Sequence, residues 1–85
     1  MPHVMSPDTA AYEELGEAAA RRMLSQGGRE HWTGRQVRDF ADGLYRRYTT
    51  RTKNVHHHAY ADGFRRMAYT ISTTRGGADQ NGQTQ

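Results

Sequence analysis

Three consecutive histidines, His56, His57 and His58, form the densest group of possible metal ligands or proton carriers in the chain. Imidazoles that share one ion from a helix stand at i and i+3 or i+4, whereas adjacent helical residues point about 100° apart. Asp62, four positions beyond His58, is the one acidic residue at ligand spacing from the triplet, and the chain contains no cysteine. The expectation is therefore no metal and no cofactor. On this spacing His57 packs half-buried against the preceding helix, with its two neighbours in solvent. Nucleophilic catalysis has no better footing, because Ser25, Ser72 and the threonines lack a glycine-flanked elbow. A glycine-rich phosphate loop ending in Lys is also missing. The chain is expected to act by binding, not by catalysis.

Charge is the more informative pattern. Between Asp42 and Asp62 there is no acidic residue, while the interval carries Arg46, Arg47, Arg51, Lys53, the three histidines and Tyr45, Tyr48 and Tyr60. Arginine favours bidentate contact with phosphate or carboxylate. A basic, aromatic-bearing turn that leads into a helix start also adds backbone N–H groups and the positive end of the helix dipole at residues 55–57. The candidate anion-binding set is Arg46, Arg47, Arg51, Lys53, His56 and His58, extended by Arg65 and Arg66 on the outer face of the last helix. The expected partner is nucleic acid, DNA or RNA, contacted through its phosphates. An acidic host protein docked on the helical surface is the competing partner, as for an accessory or inhibitor factor of a phage or other mobile element. The outer face of the last helix would read a major groove poorly, since Asp62 sits in its middle and is repelled by phosphate unless Arg65 or Arg66 pairs with it.

Three helices are needed to position these groups, at about 7–26, 34–51 and 55–74, giving an all-α, small three-helix bundle over residues 1–75. The first starts at Ser6-Pro7-Asp8, a cap, a tolerated proline and an acid at the positive end of the dipole. Its apolar face reads Ala11, Tyr12, Leu15, Ala18, Ala19 and Met23, and Gly27-Gly28 provides a left-handed stop. The second has a capping box in Thr33 and Gln36, with Trp32 placed to staple onto Val37. Its stripe is Val37, Phe40, Ala41, Leu44, Tyr45 and Tyr48. Asn54 caps the third, whose stripe is His57, Tyr60, Ala61, Phe64, Met67, Ala68 and Ile71. These two helices echo each other: Phe40-Ala41-Asp42-Gly43-Leu44 aligns with Tyr60-Ala61-Asp62-Gly63-Phe64, and Arg46 with Arg66. In that register His57 takes the inner place of Val37. Gly43 lies away from its stripe, which suggests the close approach of another backbone or a partner.

The 85 residues allow one core, and a thin one: 34% of the chain is apolar, with ten Ala but only seven Val, Ile or Leu and two Phe. A second copy of the chain could complete such a core. No apolar run approaches the length of a bilayer span or a signal segment, so no membrane partner and a cytoplasmic site are expected. Eleven of the twelve basic residues are Arg, which points to a GC-rich genome such as that of an actinobacterium or its phage. Residues 76–85 hold one Ala and nothing larger that is apolar, and are expected to be a disordered tail. Phe40, Leu44, Tyr60, Phe64, Met67 and Ile71 are expected to be the most buried cluster. Phe64→Ala should accordingly cost about 3 kcal/mol or more, which urea denaturation followed by circular dichroism would read.

Overall fold

The computed structural model describes residues 7–75; the Ser6 cap and the 76–85 tail lie outside that range. Three helices, α1 (Pro7–Leu24), α2 (Gly34–Arg51) and α3 (Val55–Ser72), are joined by a loop holding a short 3-10 turn at Arg29–His31 and by a tight turn at 52–54. The local signals operate as their chemistry requires. Gly27 and Gly28 adopt φ of 68° and 84°, the left-handed conformation that follows α1. The helix itself stops at Leu24, before the expected 26, where the Ser25 hydroxyl turns back onto the Arg22 carbonyl. The Gln36 N–H donates to Thr33 Oγ1, and the Thr33 N–H donates to Gln36 Oε1 at 2.8 Å, closing the capping box of α2. At the far end of α2 the Thr49 and Thr50 hydroxyls donate back to the Tyr45 and Arg46 carbonyls, a bonding pattern that weakens helix continuation. Helix α3 ends at Ser72, short of the expected 74. There the Thr73 and Thr74 hydroxyls turn back onto the Thr70 and Ile71 carbonyls.

Helix α3 is the shared partner. Both α1 and α2 pack along it, while their direct contact with each other is slight among the described residues. Helix α2 runs antiparallel to α3, as the pairs Phe40–Phe64 and Tyr48–Tyr60 show, and α1 runs parallel to it, from Tyr12 beside His56 to Leu24 beside Arg75.

The inner face of α1 differs from the expected one. Gly16, Ala19, Ala20 and Leu24 are buried, whereas Ala11 and Tyr12 are exposed and Leu15 is 55% exposed. The cause is backbone proximity. A Cβ on Gly16 would strike the Tyr60 carbonyl and lie 2.8 Å from the Phe64 nitrogen, and one on Gly63 would strike the Glu13 carbonyl. Two glycines thus let α1 and α3 cross with their backbones in contact, and this sets the rotation of α1 ahead of the size of its side chains.

The core changes with it. Six of the ten buried apolar residues described are alanines, and Phe64, Leu24 and Val37 are the largest side chains fully buried. Of the six residues expected to be most buried, Leu44 and Phe64 are; Phe40, Tyr60, Met67 and Ile71 sit half-buried at the margin. Trp32 packs edge-on to Phe40 at 5.3 Å, one turn beyond Val37. The echo between α2 and α3 holds in burial at Phe40 and Tyr60, Ala41 and Ala61, and Leu44 and Phe64, and fails at Val37 and His57 and at the two glycines. Val37 is fully buried but His57 is exposed, because His57 lies at the end where α1 and α2 diverge. Gly63 receives a neighbouring helix, whereas a methyl group on Gly43 would meet no foreign atom within 4 Å, so no backbone of the described chain explains that glycine.

Arg75 locks the other end. Its guanidinium donates to the carbonyls of Leu24, Arg29 and Trp32 at 2.9–3.1 Å, tying the C-terminus of α1 and the following loop to the end of α3. The two crossing glycines give the sharpest test of this packing. Gly63→Ala and Gly16→Ala should each destabilise by about 3 kcal/mol or more through overpacking. Gly43→Ala should instead stabilise by about 0.5–1 kcal/mol, since it removes helix-interior glycine in open space; chemical denaturation of the three variants checks both signs.

A tyrosine and arginine groove at the open end

The separation of α1 from α2 leaves a groove of about 470 Å³ at the end of the bundle that holds the N-termini of α1 and α3 and the C-terminus of α2. Tyr12 forms one wall, Arg47, Tyr48, Arg51 and Thr52 the other, and His57 and Tyr60 of α3 lie between them. Among the described residues, no acidic side chain lines it. The rings are ordered against one another. Tyr48 stacks on Tyr60 with centroids 5.9 Å apart and planes 15° apart, and meets His57 edge-on at 6.3 Å. Across the groove Tyr12 stacks on His56 at 4.7 Å.

The sequence-derived candidates separate into two groups. Arg47 and Arg51 line the groove one helical turn apart and exposed Lys53 follows its Thr52, whereas exposed Arg46 lies on a different face of α2, beside Asp42, Tyr45, Thr49 and Arg65. None of these four has a carboxylate partner among the described residues. Arg65 and Arg66 lie on other surfaces and are engaged. Arg66 reaches Glu17 at 2.8 Å, Asp62 at 3.3 Å and Glu13 at 3.6 Å, spanning the α1–α3 crossing. Its pKa is raised, first by the hydrogen bond to Glu17 and then by the surrounding carboxylates against a burial cost. Arg65 stands 3.6 Å from Asp42, with its guanidinium 4.4 Å over the Tyr45 ring and 5.9 Å from that of Tyr69. The Tyr69 hydroxyl donates to both Asp42 oxygens, at 2.8 and 3.0 Å, and this bond pushes the Tyr69 pKa above its ordinary value.

The histidines also divide. His56 is half-buried under Tyr12, His57 is exposed, and half-buried His58 donates from Nε2 to the Thr52 carbonyl at 2.7 Å, bracing the turn. Helical periodicity puts His57 inside and its neighbours in solvent; the burial is the reverse. The N–H groups at the start of α3 are taken as well. His56 and His57 donate to Asn54 Oδ1 at 2.8 and 3.4 Å, and His58 to the Asn54 carbonyl, so the helix cap occupies the donors that an anion would have used. Recognition at this end therefore rests on side chains. Among the described residues, no three His, Asp or Glu gather in a way that could hold a metal ion.

Five of the seven lining residues lie outside the candidate set; Tyr48, His57 and Tyr60 belong to the acid-free interval, while Thr52 and Tyr12 are not among the residues the sequence marks for binding. Thr52 adjoins Arg51 and was legible only as a helix end. Tyr12 lies in α1, far in sequence from the basic interval, and its place depends on the α1–α3 crossing. No family model, no curated protein and no solved structure matches this chain. The fold and groove define a small all-α bundle with a basic, aromatic-lined end, and none of its described helices is long and apolar enough to cross a membrane.

The engaged state of Arg65 is open to test through Tyr69. Alkaline titration of tyrosine absorbance should contain an ionisation above the usual value near 10, and Tyr69→Phe should remove it. Because this pKa is raised on folding, the stabilisation is complete below about pH 10 and is lost as pH climbs through the folded value.

Proposed function

We propose that this protein is a non-enzymatic binding module that contacts nucleic-acid phosphates through the open end of its bundle, with Arg47 and Arg51 as the central contacts and Lys53 beside them. One observation carries the reading: Arg47 and Arg51 share the groove with no carboxylate partner among the described residues, whereas Arg65 and Arg66 are tied into the fold. Unpaired arginines release counterions from a phosphate chain when they bind it, and Arg47 and Arg51 at i, i+4 present two such contacts along one wall. The cysteine-free composition and the lack of a spanning helix among the described residues support action in the cytoplasm.

Docking on a host protein is the second reading, favoured by the outer face of α1. Leu15 is 55% exposed there between Ala11 and Ala18, flanked by Glu14, Glu17 and Arg21. A complex made through that apolar strip would persist at high salt, and a complex made through phosphates would not.

Fluorescence anisotropy with labelled oligonucleotides at several salt concentrations separates the two. The parent should bind with an affinity that falls steeply with salt. Arg47→Ala combined with Arg51→Ala should weaken binding across sequences and flatten the log–log salt slope by about 1.4, at roughly 0.7 per contact on a single strand. Failure to bind any oligonucleotide at moderate salt, together with a salt-resistant protein partner, would transfer the assignment to the α1 face.

A further inference from the structure

We infer that the groove is built for the unpaired bases of a single-stranded nucleic acid, with the duplex a poor ligand; this rests on the phosphate-binding reading above and specifies its substrate. The arginines alone would serve either form, since both present a phosphate chain. The tyrosines are the selective element. A convex basic patch suffices for duplex phosphates, yet here Arg47 and Arg51 share a recess of about 470 Å³ with Tyr12, Tyr48 and Tyr60, one ring from each helix. That size falls in the range of about 300–1,000 Å³ found for small-molecule clefts. A duplex keeps its base faces stacked inside its phosphate shell and cannot present them to rings sunk between two helices. A single strand can place a base against tyrosine while its phosphates lie along the Arg47–Arg51 wall, the combination of stacking platform and cationic track that unpaired strands use.

The aromatic rings are held ready for this. Tyr48 is braced by Tyr60 and by the edge of His57, and Tyr12 is backed by His56 while remaining 37% exposed. Rings fixed by stacking lose little freedom when a base arrives. Among the described residues, no aspartate or glutamate lines the groove to read a base edge or repel a phosphate, so binding should tolerate sequence. Stacking on a ring face serves the bases of either strand type, which leaves DNA and RNA strands as the two sources of one chemistry.

The experiment compares, by anisotropy and at fixed salt, labelled single-stranded oligodeoxythymidine, oligouridine and a DNA duplex of equal length, using the full chain. Single strands should bind at least about tenfold tighter than duplex, and the two single-strand arms show whether DNA, RNA or both are taken. Tyr12→Ala should lower single-strand affinity by about tenfold and narrow the preference over duplex, in keeping with the worth of one base–aromatic stack. Tyr12→Phe, which keeps the ring, should retain both. Circular dichroism melting of each variant shows that loss of binding is not loss of fold, and Tyr12 suits the purpose because it lies outside the buried core. Duplex binding equal to or tighter than single-strand binding, or a Tyr12→Ala variant with parental affinity, would overturn the inference while leaving the phosphate reading intact. Absence of binding to all three oligonucleotides would overturn both.

Discussion

The contact of α1 with α3 at Gly16 and Gly63 governs the rest of the molecule. Each glycine admits a carbonyl of the other helix where a methyl group would collide, Tyr60 at Gly16 and Glu13 at Gly63. Glycine inside a helix costs about 1 kcal/mol relative to alanine, and the close packing along the crossing offsets that cost. Arg66 spans the same place, bonding Glu17 on one helix and Asp62 on the other. With the backbones this near, alanine suffices to fill the interior, which is how a chain with so few large aliphatic residues closes a core around Phe64.

The groove is a consequence of that crossing. Helix α1 is rotated to present Gly16, Ala20 and Leu24 inward, and both it and α2 are committed to α3. Their N- and C-terminal ends, respectively, stand apart over Tyr60 and His57. At the opposite end Arg75 draws the loop carbonyls of Arg29 and Trp32 onto the end of α3, and the Cβ position of Gly34 lies against the Ser72 carbonyl. One end of the bundle is tied shut and the other is left open.

Arginine is used in three ways. Arg75 directs its donors to backbone carbonyls and fixes a loop. Arg65 and Arg66 are held by carboxylates, and Arg65 also by tyrosine rings, so they bind helix to helix. Arg47 and Arg51 remain without such partners among the described residues at the open end, where the interval between Asp42 and Asp62 supplies no carboxylate to the last turns of α2 or the first of α3. Sequence proximity reached the Asp62–Arg66 pair, four residues apart, but neither the Arg75 lock nor the Glu17–Arg66 bond across 49 positions.

Features whose hydrogen bonds close within about four residues could be read directly along the chain. The start of α2 at the Thr33–Gln36 box, the cap at Asn54, the left-handed stop at Gly27-Gly28 and the all-α class are of this kind. The acid-free basic interval belongs with them, because composition along the chain is visible without a fold. Packing in three dimensions settled which face of α1 is inside, which of two equivalent glycines meets a backbone, and which arginines are neutralised. Periodicity ranks faces by side-chain size, so it favoured Leu15 over Gly16. The actual choice depends on how closely two helix surfaces can approach, a property of the pair that neither helix carries alone. Tyr12 joins Tyr48 and Tyr60 for the same reason, brought to the groove by a contact made a full turn away at Gly16.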